Sequence, residues 1–120
     1  MEGHRKLQVY EKSYILVLDM YRITQSFPRE ELYAMTNQIR RAAASIPLNI
    51  AEGYAKRKSQ SEFRRFLTMA FGSSAEMSVL LDLSKDLGYI GGAEYVKAKS
   101  EYEEVGKMLN TFIQRTEEQI

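Results

Sequence analysis

Cysteine and tryptophan are absent from this 120-residue chain, histidine occurs once, at His4, and proline twice, at Pro28 and Pro47. Each absence removes a class of chemistry. Without cysteine there is no disulfide framework, no thiol nucleophile and no thiolate metal site, as suits a reducing compartment. With one histidine, close to the N-terminus, no pair of Glu-x-x-His motifs can build a di-iron centre inside a bundle, and the helices offer no base for a serine or cysteine nucleophile. A Gly-rich phosphate loop is missing too, since Gly91-Gly92 lacks the Lys and Ser/Thr of a nucleotide site. Adjacent carboxylates such as Glu103-Glu104 and Glu117-Glu118 splay apart on a helix and read as solvated surface. The expectation is no enzyme, no cofactor and no metal. No apolar stretch approaches the roughly 20 residues of a membrane span. The polar start from Met1 to Lys6, followed by an amphipathic segment interrupted by Asp19, is unlike a signal peptide, so the expected setting is cytoplasmic.

What is present is ample packing material. Eight Tyr, five Phe and six Met stand in for Trp, and 44% hydrophobic with 28% charged residues is a globular composition. A chain of this length suits one domain that buries roughly two thirds of its unfolded surface. The helical period runs almost throughout and no strand-like alternation with a hairpin turn interrupts it, so the expected class is all-α. Helix one is expected over about residues 7–25, with Leu7, Tyr10, Tyr14, Val17 and Tyr21 on one stripe and Val9, Leu16, Met20 and Ile23 on another. Two stripes exceed what one core needs: the surplus implies self-association or a helix buried between two others. Helix three carries a similar surplus in Phe66, Phe71 and Leu80.

Pro28 suits a first helical turn, and Glu30 and Glu31 after it complement the dipole of a second helix over about residues 29–57. Leu32, Met35, Ile39, Ala43, Ile46, Ile50 and Tyr54 form its apolar face, and Pro47 within this pattern predicts a kink. Asn49 is placed to bond the carbonyl that Pro47 releases or to reach a partner. Ser59 and Glu62 have capping-box spacing and start a third helix over about residues 60–87, which leaves Lys56-Arg57-Lys58 in a connection. Phe63, Leu67, Ala70, Ser74, Met77, Leu81 and Ser84 line this helix, and the small run Gly72-Ser73-Ser74-Ala75 predicts a close helix approach. A fourth helix over about residues 93–118 carries Ala98, Tyr102, Val105, Leu109, Phe112 and Thr116. Four long helices with short links predict an antiparallel up-and-down four-helix bundle.

Charge is unevenly spread. Residues 1–65 hold twelve Lys/Arg and seven Asp/Glu, while residues 66–120 hold five and nine. Between Arg40 and Arg65 stand Arg40, Arg41, Lys56, Arg57, Lys58, Arg64 and Arg65 against only Glu52 and Glu62. These seven are the candidate nucleic-acid-binding residues, because phosphate recognition needs clustered cations. The alternatives are a solvated helix face, or salt bridges from the arginines to carboxylates such as Glu62 and Glu76. Tyr54 and Tyr89 either cap the packing at helix ends or stack on unpaired bases.

The motifs Phe27-Pro28-Arg29-Glu30-Glu31-Leu32-Tyr33, Gln38-Ile39-Arg40-Arg41-Ala42-Ala43 and Ser45-Ile46-Pro47-Leu48-Asn49-Ile50-Ala51-Glu52-Gly53 resemble the hallmark run of the bacterial four-helix bundle protein family, the 23S rRNA intervening-sequence proteins. Glu62-Phe63-Arg64-Arg65-Phe66-Leu67, Gly72-Ser73-Ser74-Ala75-Glu76 and Leu87-Gly88-Tyr89-Ile90 extend the resemblance over nearly the whole chain. It implies a small bundle that assembles into a ring-like homopentamer, similar to the accessory variability protein of diversity-generating retroelements, which binds nucleic acid and its reverse transcriptase. Some relatives are encoded within insertions in 23S rRNA genes, and the family's ribosomal label follows from that location. Two functions emerge: a sequence-tolerant oligomer that binds RNA or DNA, and a protein-interaction scaffold whose basic face docks an acidic protein partner.

Overall fold

The computed structural model describes Gly3, His4 and residues 7–118, the side chain of Glu118 excepted. Four helices follow in order, α1 (Gln8–Thr24), α2 (Met35–Ala55), α3 (Gln60–Asp86) and α4 (Gly92–Glu118), with a 3-10 turn at Arg29–Glu31 and no strand among the described residues. They form an antiparallel up-and-down bundle within a rod of 46 × 22 × 21 Å. α2 packs along α1 and α3, α3 packs along α4, and α1 meets α4 along a shorter seam, while the diagonal pairs stay apart. Antiparallel pairing is visible in the ions, since Lys12 reaches Glu101 and Glu104 while Arg22, further along α1, reaches Glu94.

The second helix begins later than its apolar spacing suggests. Residues 29–34 form the 3-10 turn and a further turn, and Ala34, at φ −124° and ψ −105°, breaks the chain before Met35. Leu32 and Tyr33 are accordingly exposed, Tyr33 at 91%. Glu31 does the capping here: its Oε1 accepts from the Met35 amide at 3.2 Å, one of the free donors at a helix start. α3 starts as its motif implies, with the Ser59 hydroxyl accepting from the Glu62 amide at 3.2 Å. The return half of the capping box is missing because the Glu62 carboxylate is held by Arg65. α3 ends in a left-handed Gly88, φ +80°, with the Tyr89 amide bonding back to Ser84 at 2.8 Å.

The core is formed by one stripe from each helix: Val9, Leu16 and Met20 from α1; Ile39, Ala43, Ile46 and Ile50 from α2; Leu67, Ala70, Met77 and Leu81 from α3; Tyr102, Val105 and Leu109 from α4. Of the two stripes expected on α1, the first divides: Leu7, Tyr10 and Val17 are half-buried against the core, while Tyr14 and Tyr21 stay at the surface, 50% and 44% exposed. The helix is therefore not buried between two others. On α3, by contrast, Phe66 and Leu80 are core and only Phe71 is exposed. α3 is also, among the described residues, a helix long and apolar enough by composition to cross a membrane, against the sequence expectation; 39% of its apolar window is buried in the bundle.

α2 continues as a helix through Pro47. Asn49 acts locally, but its Nδ2 donates to the Ser45 carbonyl at 2.8 Å and not to that of Ala43. The small run in α3 does not all serve close packing within the chain. Ser74 does, lying 3.4 Å from a β carbon built on Gly106 of α4, whereas nothing lies within 4 Å of one built on Gly72. α2 comes close to α3 at Gly53, where a β carbon would stand 2.9 Å from Phe66 Cβ, 3.2 Å from Phe63 Cδ1 and 3.3 Å from the Phe63 carbonyl oxygen.

Two stability predictions follow from these contacts. Ile39→Asp and Leu67→Asp, at positions 1% and 0% exposed, should each abolish cooperative melting, because an unpaired buried carboxylate costs several kcal/mol, comparable with the roughly 5–15 kcal/mol that holds a domain together. Gly53→Ala should lower the melting temperature by overpacking of about 1–3 kcal/mol, since the obstructing atoms are a β carbon and a backbone oxygen that cannot swing away. Thermal denaturation followed by circular dichroism checks both, and an unshifted Gly53→Ala would mean the α2–α3 seam can open at no cost.

Candidate functional site

α2 is long enough to separate the seven basic residues into two groups. Arg40 and Arg41 lie in its first turns, roughly 24 Å along the helix from the connection that carries Lys56, Arg57 and Lys58. Arg40 is held within the bundle: its Nε donates to Thr24 Oγ1 at 2.9 Å, and its guanidinium lies 4.5 Å from the Tyr21 ring centroid. Arg41 beside it is exposed and has no ion-pair partner among the described residues.

The other five share one end of the rod. Lys56 pairs with Glu52 at 3.4 Å and Arg65 with Glu62 at 2.9 Å, and the two cations lie 4.8 and 4.4 Å from the Phe66 ring. Arg65 holds the Glu62 carboxyl below its usual range, chiefly through their hydrogen bond, and its own proton is held more tightly in return. Arg57 stacks 4.1 Å over Tyr54 and donates to that residue's carbonyl at 3.0 Å. Lys58 is exposed with no carboxylate in reach among the described residues. Arg64 is half-buried, and its Nη1 is a donor without a partner. Sequence reasoning missed Arg115, in the last turn of α4. The alternation of four antiparallel helices is the signal that brings the end of α4 level with the α2–α3 connection.

At the opposite end, Glu31 and Asp82 are tied up in polar contacts. The Tyr89 hydroxyl donates to Glu31 Oε2 at 2.8 Å, so Glu31 joins the α1–α2 link to the α3–α4 link while its other oxygen caps α2. That bond, helped by burial and the Glu31 charge, raises the Tyr89 pKa above the ordinary tyrosine value. Asp82 accepts from Tyr95 at 2.6 Å and from Lys99 across the α3–α4 seam. The Lys99 bond first and the Tyr95 bond second hold the Asp82 carboxyl below its usual range, and Tyr95 and Lys99 are raised by the same contacts. Tyr54 and Tyr89 both serve packing, against Phe63 at 6.3 Å and Phe27 at 5.4 Å between ring centroids.

No three His, Cys, Asp or Glu side chains are grouped to hold a metal ion among the described residues. A groove of about 230 Å³ runs along the seam between α1 and α4 beside Asp19, Lys97 and Glu101. A family model described as 23S rRNA-intervening sequence protein matches residues 5–111, a span that includes every motif carrying the sequence resemblance. No curated protein matches the chain. Among solved structures, it is similar to a protein with unknown function from the S23 ribosomal protein family of Bacteroides thetaiotaomicron, with 25% identity and a TM-score of 0.80 over 88% of this chain and 95% of that one.

The Glu31–Tyr89 bridge carries a pH prediction. A raised tyrosine pKa means that the folded state holds this proton more tightly than the unfolded chain, so the contribution is whole below the ordinary tyrosine range and fades as pH rises through the raised value. Tyr89→Phe should therefore melt below the parent near neutral pH, and the two curves should begin to converge above about pH 10, the ordinary tyrosine value, and meet only above the raised one. Equal melting of the two proteins from about pH 6 to 11 would assign Tyr89 a packing role alone, since phenylalanine keeps the ring against Phe27.

Proposed function

Because the chain belongs to the 23S rRNA-intervening sequence protein family, we propose that it is a non-enzymatic homo-oligomer, a pentamer by the family resemblance, that binds RNA or DNA through the basic end of its bundle. The observation that carries this reading is the gathering of Lys56, Arg57, Lys58, Arg64 and Arg65 at one end of a protein whose net charge is only +1. Two of the five are paired with glutamates, Glu52 exposed and Glu62 half-buried, and both carboxylates reach solvent, so phosphate oxygens can replace or join them. Rotation about a ring axis along the bundle would repeat this end on one rim and sum five modest local charges into a strong field. Such a surface reads the phosphate backbone and tolerates any base sequence.

Binding is expected to fall with salt as log affinity against log salt, with a slope of about −0.7 per phosphate contact for single strands. Replacing Lys56, Arg57 and Lys58 together by Ser should lower the affinity, flatten that slope by up to about two units and leave the melting temperature nearly unchanged, since exposed ion pairs contribute roughly 0–1 kcal/mol. Fluorescence anisotropy with a labelled oligonucleotide reads both quantities. An unchanged slope would move the binding face away from the α2–α3 connection. If the parent has no affinity for any RNA or DNA at low salt, the basic end instead serves an acidic protein partner, with a reverse transcriptase among the candidates that the family resemblance supplies.

A further inference from the structure

Two apolar faces of the bundle are uncovered. One is a groove of about 300 Å³ between α1 and α2, walled by Tyr14, Val17, Leu18, Ala44, Pro47 and Leu48, in which Leu18 is 58% and Leu48 68% exposed. The other is a ridge on α3 through Met69, Val79 and Leu83, exposed to 45%, 57% and 44%. α1 and α3 occupy diagonal corners, so groove and ridge cannot cover each other within one chain. Each exposes large apolar side chains along a helix face, the kind of surface that marks an interaction site.

Their charges and spacing match. Arg41, Ala44 and Leu48 recur along the exposed face of α2, and Glu76, Gly72 and Met69 recur along that of α3. The hairpin's own contacts, Ser45 with Ser73 and Gly53 with Phe66, fix the heights of the two helices. Arg41 then stands level with Glu76, Leu48 with Met69, and Ala44 close to Gly72 and Ser73. Neither Arg41 nor Glu76 has an ion-pair partner among the described residues. Gly72 adds a second indication. It lies inside a helix, its φ is not positive and nothing within 4 Å would obstruct a β carbon, so nothing within the chain requires a glycine there, although glycine costs about 0.5–1 kcal/mol relative to alanine. A second helix drawn close across Ala44 does require it.

We propose that the α1–α2 groove of one copy receives the α3 ridge of a second copy, with Arg41 meeting the second copy's Glu76, Leu48 meeting its Met69, and Ala44 lying against its Gly72. This deepens the self-association reading above and depends on it. Groove and ridge are different surfaces, so the contact is head-to-tail and leaves every copy with a free groove and a free ridge until a ring closes. Copies related by an axis along the bundle keep the same heights, so the incoming α3 runs antiparallel to α2 as it does inside the chain, and the level pairs face each other.

Sedimentation velocity on the full chain tests this. The parent should sediment as a multiple of 13.9 kDa. Arg41→Glu and Glu76→Arg should each weaken assembly by about tenfold or more, as like charges face each other across the contact. Mixing the two single variants should restore association only in part, because contacts between unlike chains then pair opposite charges while a ring of five keeps at least one contact between like chains, and a chain carrying both changes should assemble as the parent does. Gly72→Met and Leu48→Lys should block assembly while leaving helicity and the monomer's cooperative melting intact, which separates loss of contact from loss of fold. If the parent assembles but the charge reversals leave it unaffected, or their combination is as weak as either alone, the interface lies elsewhere and self-association stands. A parent that sediments as a single chain overturns both the interface and the oligomer, whatever its affinity for nucleic acid.

Discussion

The approach of α2 to α3 at Gly53 governs the remaining geometry. With only a hydrogen in place of a side chain, the helix backbone comes against Phe63 and Phe66, and that contact sets both the spacing and the relative height of the two helices. Phe66, pinned there, presents its ring to Lys56 and Arg65, so the cation cluster at this end rests on the same contact that closes the hairpin. Ser45 meeting Ser73 further along confirms the register at a second point. A shift of one helical turn would slide Lys56 off the ring and place Glu76 opposite a different residue of α2.

Electrostatics divides the rod functionally. At the α2–α3 end, cations are exposed, stacked on aromatic faces or loosely paired, an arrangement in which a strong anion can displace a carboxylate at little cost. At the other end, Glu31, Asp82, Tyr89, Tyr95 and Lys99 are joined in specific hydrogen bonds between segments distant in sequence. One end is organised to hold connections together and the other to present charge.

Much of the fold was legible in the chain because an amphipathic period is a local signal: the four helices, the Ser59 cap and the Gly88 stop are each written within a few residues. The start of α2 was not, because Leu32 falls on the apolar spacing while the break is made by the backbone at Ala34, to which its side chain gives no clue. The small run in α3 announced a close approach but not its place, since rotation about the helix axis decides which of Gly72, Ser73 and Ser74 faces a neighbour. The candidate site was legible in composition and illegible in space. Arg40 and Arg41 are neighbours of the triplet only along the chain, and Arg115 is its neighbour only in the fold.

The short seam between α1 and α4 has a consequence for cooperativity. α1 is fastened well on one side only, so its amides are expected to exchange with solvent through a local opening that leaves α2, α3 and α4 assembled. The groove offered to a second copy is walled on one side by this same helix. A neighbour seated there would clamp α1 from outside, and its exchange would slow as protein concentration rises. The least secured part of the monomer would thus become a reporter of how crowded the molecule is with copies of itself.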